Sequence, residues 1–269
     1  MVLTVFQEII LGISQGIFEW LPISSSAFIV FIMSNIFHTT DLTFILKNTL
    51  FLHLGTFFAA LIYFRKDVSK LFVSLFHYKK LDKNSSNKKT LNFIIISTII
   101  SGIIGFVILK FIENSQNNFD ITGKTITLVI AFFLLITAIV QLKIKSSGAK
   151  TPINLRNSDS IILGFAQGIA VLPGLSRSGM TVSSLLLRKF DDTTSLRLSF
   201  LMSLPIVLAG NIILNVKEFV LTSTAIYGLI FSFIFGILTI HGLMKLSKKI
   251  NFGWFVLIFS VLMGLSVLI

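Results

Sequence analysis

The sequence predicts an all-α integral membrane protein with about six membrane-spanning helices and two shorter re-entrant helix pairs. Of its 269 residues, 54% are hydrophobic and only 13% are charged. The mean hydropathy of +0.91 exceeds what a water-soluble domain of this length needs to fill its core. Because backbone polar groups in lipid must be paired within their own segment, the spanning segments are predicted to be helices. Residues 1–269 are expected to form one membrane domain.

Six apolar runs are long enough, at about 20 residues each, to cross the hydrocarbon layer. They cover residues about 42–64, 91–112, 124–142, 195–215, 224–244 and 252–269. Residues 1–46 contain no Lys or Arg, so a signal peptide is not expected and the N-terminus is predicted to be retained. The absence of cysteine excludes disulfides and thiolate chemistry but leaves the compartment open.

The charge pattern predicts the topology. The net charge of +12 would suit a nucleic-acid partner, but the basic residues cluster in loops between spans, so nucleic-acid binding is not expected. Loops 65–89, 143–156 and 245–249 are strongly basic and are predicted to be cytoplasmic. The loops at 110–124 and 217–218 also carry acidic residues and are predicted to lie outside. These assignments describe a multi-pass plasma membrane protein, for which a homodimer is one possible assembly.

An internal repeat divides the chain into two halves. Residues 11–17 (LGISQGI) and 21–26 (LPISSS) recur as residues 163–169 (LGFAQGI) and 172–178 (LPGLSRS). Repeat 1 is predicted to cover about 1–143 and repeat 2 about 157–269. Three spans separate the copies, so the second copy should be inverted relative to the first.

Each copy contains an apolar stretch, a proline, a hydroxyl cluster and a second apolar stretch too short to make two full spans. We interpret each copy as a re-entrant helix pair, with one pair entering the membrane from each side. The proline–serine turns between the paired helices, here called elbows, should then meet near the bilayer centre. The alternative is two kinked spans per copy. Pro22 and Pro173 should end the incoming helices, and the serines that follow should cap the outgoing ones. Glycines four residues apart in both copies should let these helices approach a neighbour closely.

Two ionisable residues at the elbows are the strongest functional candidates. Glu8, Gly12, Gln15 and Glu19 share one helix face, and a carboxylate at bilayer depth is costly, so Glu19 is expected to be functional. Glu8 is expected to be solvated near the helix entrance. Arg177 offers planar donors that match two phosphate oxygens, beside helix N-termini that also attract phosphate. The alternative for Glu19 is a structural partner of Arg177.

The motifs QxxxE at 15–19, LPISSS at 21–26 and PGLSRSGMT at 173–181 together resemble the two signatures of the undecaprenyl-diphosphatase family, also called the BacA bacitracin-resistance family. The resemblance covers nearly the whole chain. It implies hydrolysis of a polyprenyl diphosphate lipid to the monophosphate carrier and inorganic phosphate, with a site that opens to the extracytoplasmic side. It also implies recycling of the lipid carrier in cell-wall synthesis and dependence on a divalent cation, Mg²⁺ or Ca²⁺.

Roles follow from the resemblance residue by residue. Glu19, Ser25 and Arg177 are the implied catalytic residues, with Ser25 as nucleophile, and Glu19 and Gln15 are the candidates for holding the metal. The predicted substrate-binding residues are Gln15, Ser24, Ser26, Gly174, Ser176, Ser178 and Thr181.

One departure from the family pattern weakens the catalytic assignment. The family usually has Gly-His after the hydroxyl run, whereas this chain has Ala27 and Phe28 and so lacks the implied histidine base. His53 on the next span is a candidate substitute, with a hydrogen-bonded structural histidine as the alternative. A rival function is a polyprenyl-phosphate transporter or flippase that uses the same phosphate site without hydrolysis.

Overall fold

The computed structural model describes residues 3–39, 41–115, 123–144, 148–214, 222–246 and 252–266. The α-helices in these ranges are α1 (Val5–Phe18), α2 (Ser25–Phe31), α3 (Leu42–Tyr63), α4 (Arg65–Phe76), α5 (Ser86–Ser115), α6 (Gly123–Leu142), α7 (Asn157–Ile169), α8 (Arg177–Leu187), α9 (Asp192–Leu214), α10 (Ala225–Leu246) and α11 (Phe252–Leu265). A π-helical turn, Ile32–Ile36, extends α2. One isolated bridge between Lys150 and Phe190 is the single β pairing within these ranges. The predicted all-α class is confirmed.

Four helices are long and apolar enough to cross a membrane: Thr43–Tyr63, Ser86–Phe111, Asp192–Ile213 and Ala225–Lys245. They match four of the six predicted spans. Shorter apolar stretches, Thr127–Leu142 and Gly253–Leu265, occupy the other two positions. Residues 116–122, 145–147, 215–221 and 247–251, which contribute to the topology prediction, lie outside the described ranges.

The two sequence repeats fold into two pairs of short helices, each too short to span a bilayer. Helices α1 and α2 have 14 and 7 residues, and α7 and α8 have 13 and 11, against about 20 needed for a span. Helix α1 packs on α10 and α7 packs on α5, while α3 packs on α9 and α6 on α11. The long helices therefore surround the two short pairs.

Glycines set the closest of these helix contacts, as predicted. A Cβ placed on Gly12 would lie 2.3 Å from the Gly228 carbonyl oxygen of α10, and one on Gly16 would lie 2.7 Å from Phe235 Cβ. In the second copy, a Cβ on Gly168 would lie 2.7 Å from Ile104 Cβ of α5. Any side chain at these positions would separate the helices.

The segment predicted as one basic loop, residues 65–89, is not entirely a loop. Helix α4 occupies most of its first half, and a 3₁₀ turn, Tyr78–Lys80, follows. Val68 and Leu71 recur at helical spacing and pack against the cluster that contains Phe64 and Phe200. Because the basic residues dominate the composition, this apolar stripe was missed in the sequence.

Candidate functional site

The site is centred on the Glu19 carboxylate, at the point where α1 ends. Glu19 is the C-cap residue of α1, and it is buried. Its Oε2 accepts hydrogen bonds from Ser25 Oγ at 2.6 Å and from Gln15 Nε2 at 3.0 Å, and it lies 3.2 Å from His53 Nε2. Its Oε1 pairs with Arg177 Nη2. One carboxylate thus receives donors from four side chains.

Arg177 reaches Glu19 from the second elbow. Gly174 turns the chain there with φ +100°, a conformation that favours glycine, and a Cβ at this position would lie 2.5 Å from the Ile130 carbonyl oxygen. Ser176 then caps α8 by accepting a hydrogen bond from the Gly179 N–H at 3.0 Å. Arg177 is the first residue of α8, and its guanidinium carbon lies 5.8 Å from the centre of the Trp20 ring.

Two further hydrogen bonds hold the first elbow in place. Ser178 Oγ donates to the Leu21 carbonyl at 2.8 Å, which joins the second elbow to the first. Gln141 Nε2 of α6 donates to the Pro22 carbonyl at 2.5 Å. Sequence reasoning missed Gln141 and Trp20, since neither forms part of a local motif and only the three-dimensional packing brings them to the site.

The remaining predicted hydroxyls occupy different positions. Ser24 has φ +65° and makes no side-chain capping bond, so the prediction that it caps α2 is wrong; its Oγ lies 3.3 Å from Ser26 Oγ. Ser176 Oγ lies 3.3 Å from Ser178 Oγ. The Thr181 hydroxyl donates to the Arg177 carbonyl at 2.8 Å and lies 2.6 Å from Ser199 Oγ. In this arrangement Thr181 anchors the first turn of α8.

His53 lies directly beside Glu19. Its Nδ1 is 2.6 Å from the Thr49 carbonyl oxygen and its Nε2 is 3.2 Å from Glu19 Oε2. A carbonyl oxygen only accepts hydrogen bonds, so Nδ1 carries a hydrogen, and Nε2 donates to Glu19 when it is protonated as well. His53 is therefore held beside the Glu19 carboxylate, with which its protonated form makes an ion pair.

Phe28, which stands where the family usually has histidine, belongs to an aromatic stack. Its ring lies 4.0 Å from the Phe18 ring and 3.9 Å from the Phe259 ring, with interplanar angles of 20° and 4°. The stack joins α2 to α1 and α11. Position 28 thus packs helices together one turn beyond Ser25.

Glu8 differs from the prediction of a solvated residue. It is 2% exposed, and its Oε1 accepts a hydrogen bond from Asn48 Nδ2 of α3 at 3.1 Å. Because α1 packs closely against α10 through Gly12 and Gly228, the first turn of α1, which carries Glu8, is covered as well.

Three atoms at the site lack hydrogen-bond partners although they are buried: the donors Arg177 Nη1 and Trp20 Nε1, and the acceptor Gln15 Oε1. Glu19 contributes one negative charge and Arg177 one positive charge, and His53 adds a second positive charge when it is protonated. A free guanidinium donor in a positively charged, buried cluster is suited to binding a phosphate.

Residues that fit a divalent cation are limited to the pair predicted for it. The described ranges contain no cluster of three or more His, Cys, Asp or Glu side chains able to hold a metal ion. Gln15 Oε1 is a buried oxygen without a partner, and Nε2 of the same amide bonds the Glu19 carboxylate. Mg²⁺ commonly uses one or two protein oxygens and completes its shell with substrate phosphates and water, so Gln15 Oε1 offers one such oxygen, whereas both Glu19 oxygens accept hydrogen bonds in this structure.

Comparisons with known proteins match this chain to one family along nearly its full length. The profile of the family described as bacitracin resistance protein BacA matches residues 8–266. A protein named undecaprenyl-diphosphatase from Methanococcoides burtonii is 39% identical over 266 residues, which cover 98% of each chain. Similarly named proteins are 36% identical in Thermosipho melanesiensis, over 96% of this chain and 98% of the relative, and 32% identical in Korarchaeum cryptofilum, over 97% of both.

Proposed function

The chain belongs to the BacA family, and on that premise we propose that it hydrolyses undecaprenyl diphosphate, or a related polyprenyl diphosphate, to the polyprenyl phosphate and inorganic phosphate. The observation that carries this proposal is the Glu19–Arg177 pair, in which two elbows far apart in sequence meet around one hydroxyl nucleophile, Ser25. The flippase alternative is not favoured, because the matched relatives are named for a diphosphatase.

Binding of the diphosphate relies on the second elbow. Arg177 Nη1 donates to an oxygen of the terminal phosphate, while Nη2 keeps its bond to Glu19. The N–H groups at the start of α8 add a positive dipole end on the same side. Ser24, Ser26 and Ser176 line the two elbows and contribute hydroxyl donors to the phosphates. Gly174 and Ser178, whose hydroxyl already donates to the Leu21 carbonyl, contribute through their backbone N–H groups.

Phosphoryl transfer begins at Ser25. Its Oγ attacks the terminal phosphorus, the Oγ–P bond forms, and the P–O bond to the polyprenyl phosphate breaks. The hydroxyl proton passes to Glu19 Oε2, which already accepts it in a 2.6 Å hydrogen bond. Water then attacks the phosphorus of the phosphoserine and the Oγ–P bond breaks, so that inorganic phosphate leaves with the hydroxyl of the water. Glu19 returns its proton to Ser25 Oγ, and the remaining proton of the water is released to the solvent.

His53 supports this cycle through charge. It donates to Glu19 and keeps the carboxylate oriented toward Ser25. Together with Arg177, its positive charge offsets the negative charge of the incoming phosphates. A divalent cation held by Gln15 and Glu19 would neutralise further charge on the phosphate oxygens.

The membrane arrangement is part of the proposal. Helices α6 and α11 complete six spans, and α1–α2 and α7–α8 are re-entrant pairs in inverted repeats of about 1–143 and 157–269. The lipid tail remains among membrane lipids, and the site opens to the extracytoplasmic side of the plasma membrane. A homodimer stays a prediction that cross-linking in membranes tests.

The test is phosphate release by the purified full-length chain from undecaprenyl diphosphate in detergent, with Mg²⁺, with Ca²⁺ and with a chelator. We expect Ser25→Ala to abolish release and Ser26→Ala, which removes one phosphate donor but no hydrogen bond to Glu19, to reduce it much less. A wild-type chain that releases no phosphate under any of these conditions would reject the proposal. Proteoliposomes that translocate a labelled polyprenyl phosphate without hydrolysis would favour the transporter instead.

A further inference from the structure

A second buried carboxylate lies on the same helix as Glu19 but in a different environment. Glu8 Oε1 is bonded to Asn48 Nδ2, whereas Glu8 Oε2 and Asn48 Oδ1 are both buried without a hydrogen-bond partner. Glu8 and Asn48 are each 2% exposed, so water does not reach them freely. The pair therefore contains two buried acceptor oxygens and lacks one donor.

Glu8 Oε2 lies at the contact between α1, α3 and α10. A Cβ built on Gly228 of α10 would lie 2.7 Å from Oε2 and 2.8 Å from a methyl of Leu52, so the oxygen lies against the backbone at Gly228 with the aliphatic Leu52 side chain of α3 nearby.

No cation compensates the carboxylate, since the ion pairs found in the described ranges involve Glu19, Asp67 and Asp159 and not Glu8. The neighbouring titratable side chains are Lys47 on α3, which is half-buried and has an interaction of its own, and Tyr227 on α10, which is 45% exposed. On α1 itself the other titratable group is Glu19, which is paired with Arg177.

We propose that Glu8 and Asn48 form a buried proton-binding site, in which Glu8 is a neutral carboxylic acid at neutral pH. One proton on Glu8 supplies the donor that these oxygens lack, whereas an ionised carboxylate there would be buried without a compensating charge. Helix α1 thus carries a neutral glutamate in its first turn and, eleven residues later, a charged one between Arg177 and His53.

Proton binding at Glu8 is coupled to the catalytic end of α1 through two helices. Glu8 shares a helix with Gln15 and Glu19, and Asn48 lies on α3 five residues before His53. Loss of the proton would place a charge at the tight junction of α1, α3 and α10 and would weaken their packing. Stability is then highest where Glu8 is protonated in both folded and unfolded chains, and it falls as pH rises toward release of the proton from the folded protein.

Infrared spectroscopy of the full chain in lipid at neutral pH tests the site without reference to hydrolysis. We expect a carbonyl-stretch band of a protonated carboxylic acid that disappears in Glu8→Gln and persists in Glu19→Gln. Asn48→Leu should shift the band to higher frequency, because the carboxyl oxygen loses its hydrogen bond. A wild-type spectrum without such a band, or a band unchanged in Glu8→Gln, would overturn the proposal.

Thermal unfolding across pH gives an independent measurement. The wild-type Tm should fall with rising pH over a range in which the Glu8→Gln variant, a neutral mimic of the protonated acid, stays flat. Parallel profiles for the two chains would count against the site. Both readouts remain valid if no phosphatase activity is found, so failure of the proposed function and failure of this site can be told apart.

Discussion

Replacement of Arg177 tests the proposed site most directly, because its two terminal nitrogens have separate tasks. Nη2 bonds Glu19, and Nη1 is buried and free to bind phosphate. A hydrogen bond to a charged group contributes about 1.5–3 kcal/mol. Arg177→Lys keeps the charge but cannot serve both partners at once, so it should lose one such bond, or about 10- to 100-fold in kcat/KM.

Arg177→Ala removes both bonds and should lose about 3–6 kcal/mol, or roughly 10²- to 10⁴-fold in kcat/KM. The assay is phosphate release from undecaprenyl diphosphate at several substrate concentrations. Because breaking a buried ion pair costs about 3–5 kcal/mol of stability, each variant needs a Tm and a size-exclusion profile. Glu19→Gln combined with Arg177→Ala removes the unpaired charge and serves as the folding control. Activity within tenfold of wild type in a folded Arg177→Ala chain would refute the assignment.

Three further variants test the surrounding packing. His53→Leu should reduce kcat/KM by about 10- to 100-fold through loss of a charged donor to Glu19, and His53→Gln should lose less because it can still donate; equal losses would contradict the role in orientation. Phe28→His should lower Tm without raising phosphate release, since two stacked ring contacts of about 0.5–1.5 kcal/mol each are lost; a large gain in rate would show that the native chain lacks a base. Gly12→Ala should destabilise by about 1–3 kcal/mol by contact with Gly228, whereas Gly242→Ala, with open space around it, should be neutral or stabilising by up to about 1 kcal/mol; similar Tm values would contradict the close packing.

The sequence alone predicted the features that depend on residues close together along the chain. The apolar runs predicted helices α3, α5, α9 and α10, and the recurrence of Gly and Pro identified the two short helix pairs. The amphipathic helix α4 was missed because its basic residues masked a short apolar stripe. Capping by Ser24 was wrong because the chain enters α2 in a left-handed conformation that directs the serine elsewhere.

The residue types at the site were also accessible from the sequence. A glutamate and an arginine in apolar segments are costly in lipid, so Glu19 and Arg177 could be selected on energetic grounds alone. Their partners could not be selected this way. His53 becomes a charged partner of Glu19 only because α3 packs beside α1, and Glu8 was expected in water because nothing in its own segment reveals that α10 covers it.

By itself, the sequence determined that this protein is a helical membrane protein. It also determined that a carboxylate and a guanidinium, both energetically unfavourable in lipid, lie at two repeated proline–serine elbows. Only the tertiary structure decided which atoms meet: that Arg177 keeps one nitrogen free, that Phe28 stacks between two rings, and that Glu8 bonds Asn48 and forms no ion pair within the described ranges. The physical reason is that hydropathy and helix signals act over a few residues. Hydrogen-bond and charge partners are instead set by contacts between helices far apart along the chain.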